Sequence, residues 1–557
     1  MDQPLTVDDI IRDHNARKAL RSQAEPMWDE IITNMIPRRA SIYKMAPNTP
    51  NTAKIYDGLP AKAINLGAAV LQSMLTNRQL EWFRLEVDNP ELNDMREVKE
   101  WLTTWRDTIR KALDNSNFYS QAHEFYVDIL SLCTAVMYCE PYARAGRDLY
   151  FSTRHLREVY LLEGDQGRQD RINLVREMSA LQIMDRWRWA RKTGNIPDVI
   201  VKAYEKGDCN QTFEILQAVY PNPDGKEDAV KPELMPYYCK WIELQSKQEI
   251  TTDGYNEFPF VTCFWSKFSG DVYGRGPGWS ALPSVKMLYA MRQTALRVAE
   301  KIADPPLQVP RQGFLANLKL TPGGINFYEA SASGGRIEPL VIGANFNINL
   351  EMIQDERNQV LEHFYANQLQ IVDAKQMTAE EVRARIAENA RILGPTFDRL
   401  NDDYLDPLIY RVIGILRRSG RLQEPPDVVL KAAEKLGVQL RVRFVSPLAK
   451  AQVASEVQGI THTMATAIEW ATGTQDVGVF DNLDLDVGIS KIAELDGAPL
   501  EFIRDAKKRD AIRAQRAAQA EAARRAALAK ETAGAMDAAA SADAQNAETA
   551  QMVEGTA

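Results

Sequence analysis

The sequence predicts an α+β fold that is mainly helical and divided into several substructures. Three observations predict it. Two helix-like runs of matched length, about Ala281 to Ala303 and about Asn349 to Gln370, flank a long stretch dense in Gly and Pro. Short alternating segments parted by turns fill 149 to about 265, and from Pro499 onward the composition shifts to Ala, Arg and Gln. A chain of 557 residues is too long for one hydrophobic core, so two to four substructures are expected. Its 45% hydrophobic and 26% charged residues are ordinary for globular protein.

The elements follow in order. Residues 7–36 carry Ile10, Ile11, Leu20, Ala24, Met27, Trp28, Ile31, Ile32 and Ile36 mostly at three- and four-residue steps, which predicts an amphipathic helix. Pro26 kinks it or splits it in two. Residues 60–77 form a second helix, Trp82 to Val87 alternates as a strand, and 94–143 reads as mostly helical. Strands are expected at Leu149 to Thr153, Val159 to Glu163, Phe213 to Tyr220, Tyr237 to Leu244 and Phe258 to Trp265.

The two matched runs come next, each roughly 33–35 Å long at 1.5 Å per residue, and the insert between them makes a shaft with a tip. Met377-Thr378-Ala379-Glu380-Glu381-Val382 restarts the chain with a capping box, in which Thr378 accepts from the amide of Glu381 and Glu381 reaches back. That helix breaks at Gly394-Pro395 and resumes through Leu416; Pro425-Pro426 breaks the chain again. Leu440 to Val445 alternates as a strand and Ser446-Pro447 opens another helix. The segment 500–530 is rich in strong helix formers but marginal alone, and 531–557, with five acidic residues and no Lys or Arg, is expected to be disordered.

Chemistry is sparse. Cys133, Cys139, Cys209, Cys239 and Cys263 are odd in number and lack Cys-x-x-Cys spacing, which suits buried thiols in a reducing compartment. His14, His123, His155, His363 and His462 stand far apart, outside any metal-ligand spacing. No P-loop and no Gly-x-Ser-x-Gly elbow occurs, so neither a nucleotide-driven motor nor an α/β-hydrolase is expected, and no cofactor or catalytic residue is assigned. No apolar run is long enough to span a membrane, and Met1-Asp2-Gln3-Pro4 does not open a signal peptide.

Gly274-x-Gly276-x-Gly278 reads as a tight turn, because Pro277 removes an amide that a phosphate cradle would need. Arg186-Trp187-Arg188-Trp189-Ala190-Arg191-Lys192 interleaves cations and rings: an amphipathic face, with base stacking as the functional alternative. Glu351, Asp355 and Glu362, with Asn358 between, share one helical face, which is either a solvated face or, in a ring of copies, the coat of a lumen that repels phosphate. A net charge of −9 argues against a tight DNA binder but permits a surface that DNA slides past.

With these residues in view, the chain resembles the portal proteins, or head-to-tail connectors, of short-tailed double-stranded DNA phages, from about residue 10 to 530. The matching stretches are Tyr56-Asp57-Gly58 leading into a helix, Trp82-Phe83-x-Leu85, and Tyr273-Gly274-Arg275-Gly276-Pro277 ahead of Ala281-Leu282-Pro283. Met377 to Val382, Leu393-Gly394-Pro395, Arg399-Leu400, Pro407-Leu408, Gly420 and Ser446-Pro447-Leu448-Ala449 follow in order. Each is weak; their order and spacing carry the resemblance.

The resemblance implies a ring of about twelve copies at one capsid vertex, assembled in the host cytoplasm. Double-stranded DNA passes through it in packaging and ejection. The expected partners are the terminase packaging motor, a tail adaptor, and capsid and internal core or scaffold proteins, with no membrane. Carried onto this sequence it gives a wing over 1–278, stem helices over 279–304 and 347–370, and a β-rich clip over 305–346. A channel loop over 371–377, wing and channel helices over 378–499, a helical crown over 500–530 and the tail 531–557 complete it. Lys375 is the one clear cation of the channel loop; Gly313, Gly323, Gly324, Gly334 and Gly335 suit tight strand turns in the clip, where motor and tail dock. Two rival classes remain: a tail adaptor, which would lack the helix–insert–helix order, and a DNA-processing enzyme, which would need a clustered carboxylate or metal site.

Overall fold

The computed structural model describes residues 5–37, 41–43, 55–144, 147–164, 167, 169–188, 195–303, 307–308, 338–339, 346–366, 394–436, 439–445, 447–474, 477–495, 504 and 506–554. The chain divides into two units: residues 1–92 with 101–451, and residues 93–100 with 452–557. The fold is α+β and mainly helical, with antiparallel sheets.

The first unit opens with α1 (Val7–Arg21) and α2 (Glu25–Met35). Pro26 falls in the first turn of α2, where its missing N–H costs nothing, so the expected run is split, not kinked. Next along the chain come α3 (Leu59–Leu75), β1 (Phe83–Val87), α4 (Pro90–Asp94) and α5 (Arg96–Asn115), whose end and start respectively belong to the second unit, and α6 (Phe118–Ser131). Helix does not persist to 143 as the pattern suggested: β2 spans Thr134–Arg144. Its first six residues are all buried, so no alternation marks it as a strand.

The sheets are built from β3 (Arg147–Arg154), β4 (Val159–Glu163), β5 (Gln169–Ser179), β6 (Thr212–Pro221), β7 (Tyr237–Glu243), β8 (Gln248–Tyr255) and β9 (Phe260–Phe264). The order β4-β5-β6-β7-β8 makes a five-stranded antiparallel meander, and β3-β2-β9 a three-stranded sheet. Two short helices, α7 (Ala180–Arg186) and α8 (Asp198–Glu205), lie between β5 and β6.

Helix α1 closes the meander: Ile10 is buried among Leu216, Ala218, Tyr220 and Ile242. Arg21 is buried, donates to the carbonyls of Leu156 at 2.8 Å and Val159 at 2.9 Å, and has its charge paired with Glu25 at 2.8 Å. The cation-and-aromatic run takes the bland option where it is described. Trp187 is buried edge-on to Trp241 at 5.1 Å, and Arg186 lies over Trp241 while pairing with Glu140 at 3.6 Å. Trp189 to Lys192 lie outside the described residues.

Further along are α9 (Pro277–Ala303), the two-residue strands β10 (Leu307–Gln308) and β11 (Glu338–Pro339), and α10 (Phe346–His363). Residues 394–400 are helical and a π turn over Asn401–Leu405 feeds α11 (Asp406–Arg418). Tyr404 of that turn is buried and stacks on Phe125 at 3.9 Å. After α12 (Asp427–Leu436), β12 (Leu440–Phe444) pairs antiparallel with β1, Phe83 facing Phe444. Gly323, Gly324, Gly334, Gly335 and Gly313 of the insert lie outside the described residues, as do Lys375 and the capping box at Thr378.

The second unit holds most of α13 (Pro447–Thr474), then α14 (Leu485–Leu495) and α15 (Ala506–Glu554). Here the sequence reading is corrected: the chain stays helical through Glu554, where disorder was expected from 531. The reason is propensity. Between 531 and 554 the segment contains no Pro, one Gly and a majority of Ala and other helix-compatible residues, and low hydrophobicity alone does not unmake such a helix.

Candidate functional site

The paired helices α9 and α10 are entered through the glycine turn. Gly274 N donates to Thr134 Oγ1 at 2.8 Å, and Ser266 and Arg275 exchange backbone bonds at 2.8 and 3.1 Å. A methyl group on Gly278 would overlap the Ser131 carbonyl, and one on Gly274 the Cys133 carbonyl. The glycines let the start of α9 touch the α6–β2 corner. The amide of Gly274 is committed inside the protein and does not face a ligand. Cys133 at that corner has φ 60° and is fully buried; burial pushes its thiol up to about 12.

The first half of α9 is core, with Ala281, Leu282, Val285 and Leu288 buried. Two contacts fasten it to α2: Tyr289 donates to the Asn34 carbonyl at 2.5 Å, and Lys286 meets Glu30 at 2.5 Å. Burial, then the nearby Asp57 carboxylate, pushes the Tyr289 hydroxyl up to about 12, so it stays a donor.

Asp57 is the clasp of the pair. Its carboxylate is 8% exposed and lies 3.2 Å from Arg292 of α9 and 3.5 Å from Arg357 of α10. Its other oxygen accepts from the Leu59 amide at 3.0 Å, starting α3. Tyr56 beside it accepts from Gln293 at 2.9 Å and packs edge-on to Tyr289. Arg292 stands eleven residues before the end of α9, and Arg357 eleven after the start of α10. One carboxylate therefore fixes both helices at the same height, roughly 16 Å from their joined ends. This role was missed from sequence, where Tyr56-Asp57-Gly58 counted only as a matching stretch; its partners are more than 230 residues away.

Glu351, Asp355 and Glu362, with Asn358 among them, are all exposed, while Ile353, Val360 and Phe364 on the other side are buried. The acidic face predicted for α10 is therefore a continuous exposed stripe. Toward the joined ends both helices also carry exposed apolar residues, Leu350 and Met352 on α10 and Leu296 and Ile302 on α9. The helix ends sooner than expected, at His363: Tyr365 takes φ 56° and stacks on Trp265 at 5.7 Å, turning the chain before Gln370. Among the described residues no His, Cys, Asp and Glu side chains gather as a metal site, and no helix is long and apolar enough to cross a membrane.

The model of the bacteriophage head to tail connecting protein family matches residues 7–503. The portal protein of Salmonella phage epsilon15 is 24% identical over 509 residues, spanning 90% of this chain and 89% of its own length. The probable portal protein of Bordetella phage BPP-1 is 26% identical over 507 residues, spanning 88% of each. A chain from the virion of a native gene transfer agent particle is similar at a TM-score of 0.38 and 10% identity, covering 79% of this chain and 89% of that one. The family match takes in the glycine turn, the paired helices, their clasp and every sheet, and on it the chain belongs to the bacteriophage head to tail connecting proteins, structural components of the virion.

Proposed function

We propose that this chain is a portal: a closed ring of about twelve copies at one capsid vertex, through which double-stranded DNA enters in packaging and leaves in ejection. The observation that carries the reading is the near full-length match to two phage portal proteins, across 88% or more of this chain. In that reading α9 and α10 form the stem and 305–346 the clip, where the terminase motor and later the tail adaptor dock. The segments 1–278 and 378–499 form the wing, 371–377 the channel loop, and the start of α15 the crown. Capsid and internal core or scaffold proteins meet the outer and inner faces.

Two features of the helix pair support it. The stripe of Glu351, Asp355 and Glu362 is exposed, and repeated around an axis it would repel phosphate and let DNA slide. The apolar residues Leu296, Ile302, Leu350 and Met352 are exposed in one copy and would be covered by neighbours in a ring. Lys375 is the residue proposed to touch phosphate at the narrowest point. Native mass spectrometry of the purified protein tests the ring: the expected mass is near twelve copies, and a monomer or dimer at micromolar concentration overturns it.

A further inference from the structure

We propose that the first half of α15, residues 507–530, is a DNA-binding strip that grips the phosphate backbone without reading sequence. Between Lys507 and Lys530 stand eight Lys and Arg and only Asp510 and Glu521 as acids, in a chain whose net charge is −9. Beyond Lys530 the same helix carries five acids and no Lys or Arg. One continuous helix is thus basic at one end and acidic at the other.

The basic half is both exposed and presented. From Lys508 to Lys530 every described residue except Arg509 and Ile512 is exposed, and the spacers are mostly Ala, so nothing bulky holds the helix off a duplex. Arg509, Arg513, Arg516 and Arg524, at steps of four, three and eight, fall on one face of the helix. Asp486 at the start of α14 sets the rotation of that face. It accepts from both terminal nitrogens of Arg513 at 2.6 Å and lies 3.2 Å from Arg509. The Arg513 bonds, with Arg509 assisting, hold the Asp486 carboxyl below its ordinary range, so the latch stays charged.

The two latched arginines orient the stripe; Arg516 and Arg524 extend it past α14 with no carboxylate partner among the described residues. Arg525 is shared with Glu521 at 2.9 Å, and Arg509 also with Asp510 at 2.9 Å. The rival occupant is the acidic half of a second copy. That pairing needs antiparallel helices, and the rotational symmetry of a ring sets all copies parallel, which brings like ends together. DNA is the polyanion that fits the basic ends.

The strip rests on the portal reading for its location and for the exclusion of antiparallel self-pairing, whereas DNA binding by a single chain would stand without a ring. The test is the variant Arg516→Ala, Arg524→Ala, Arg525→Ala, Lys530→Ala, chosen because Ala on an exposed helix favours folding. Binding to a fluorescent duplex is measured against salt, with native mass recorded on the same samples. The native protein should bind in a sequence-independent way. The variant should bind at least about tenfold more weakly near 0.1 M salt, with a salt slope shallower by about 0.9 for each lost contact. Deletion of 531–554 should leave binding intact or strengthen it. Unchanged affinity and slope in the variant overturn the proposal, as does a variant that alters only the native mass, which would assign the strip to self-pairing. A normal ring with no DNA binding sinks the strip and spares the portal reading; DNA binding by a monomer does the reverse.

Discussion

Single residues decide whether the corners of this fold close. At Gly278 a methyl group has no room, because the obstacle is the Ser131 backbone carbonyl and cannot rotate away. Gly278→Ala should cost about 3 kcal/mol or more, read as a lower denaturant midpoint. Gly459, inside α13 with nothing near its missing Cβ, is the control: Gly459→Ala should stabilise by up to about 1 kcal/mol. His14 is a second sensitive point. It is 5% exposed and edge-on to Tyr160 at 4.5 Å; burial first, then the charges of Lys18, Arg21 and Arg17, lower its pKa to about 4, against a smaller opposing pull from Asp13. The unfolded chain therefore takes up this proton near pH 6.5, before the native chain does. Stability is full above that pH, falls as the pH drops, and stops falling through this group below about 4. The loss is roughly 3 kcal/mol at most, and His14→Gln should flatten that limb in pH-dependent denaturation.

At the scale of elements, Asp57 turns two helices into one part. Asp57→Ala leaves Arg292 and Arg357 facing each other without a counter-charge and strips an amide acceptor from α3. The expected cost is about 2 kcal/mol, with faster amide exchange along α9 and α10 and little change in the five-stranded sheet. The elements also show what the sequence makes legible. Val159 to Glu163, Phe213 to Tyr220 and Tyr237 to Leu244 were read as strands because periodicity and turns are local signals, and β4, β6 and β7 match them. Strand β2 was missed because burial on both faces erases alternation, and β8 because Gln248 to Tyr255 is too polar to stand out. The acidic face of α10 was legible, since it needs only helical spacing; the clasp was not, since nothing near Asp57 announces two arginines far along the chain.

For the whole molecule, the portal reading makes the tip separable from the body. The insert between α9 and α10 is entered and left at one end of a helix pair whose fastening, through Asp57, Tyr289 and Lys286, lies elsewhere. Deleting 313–340 should leave the body folded and the ring closed, by circular dichroism and native mass, and abolish attachment of a tail adaptor. Normal attachment would move the docking site off the tip.

The pairing of β1 with β12 sets an order in time. Phe83 cannot meet Phe444, nor Trp82 stack on it, until the intervening residues have been synthesised. At roughly 5–20 residues per second, β1 waits on the order of 20–70 s with its edge unpaired. The β1 edge is paired only after Phe444 is out, so a copy interrupted before that point keeps an open strand edge. A chain stopped at residue 439 should be cleaved by protease near Trp82 to Val87 and should be left out of rings formed with full-length protein. In the proposed ring, which one defective member would spoil, the β1–β12 pairing would thus act as an inspection step on each subunit.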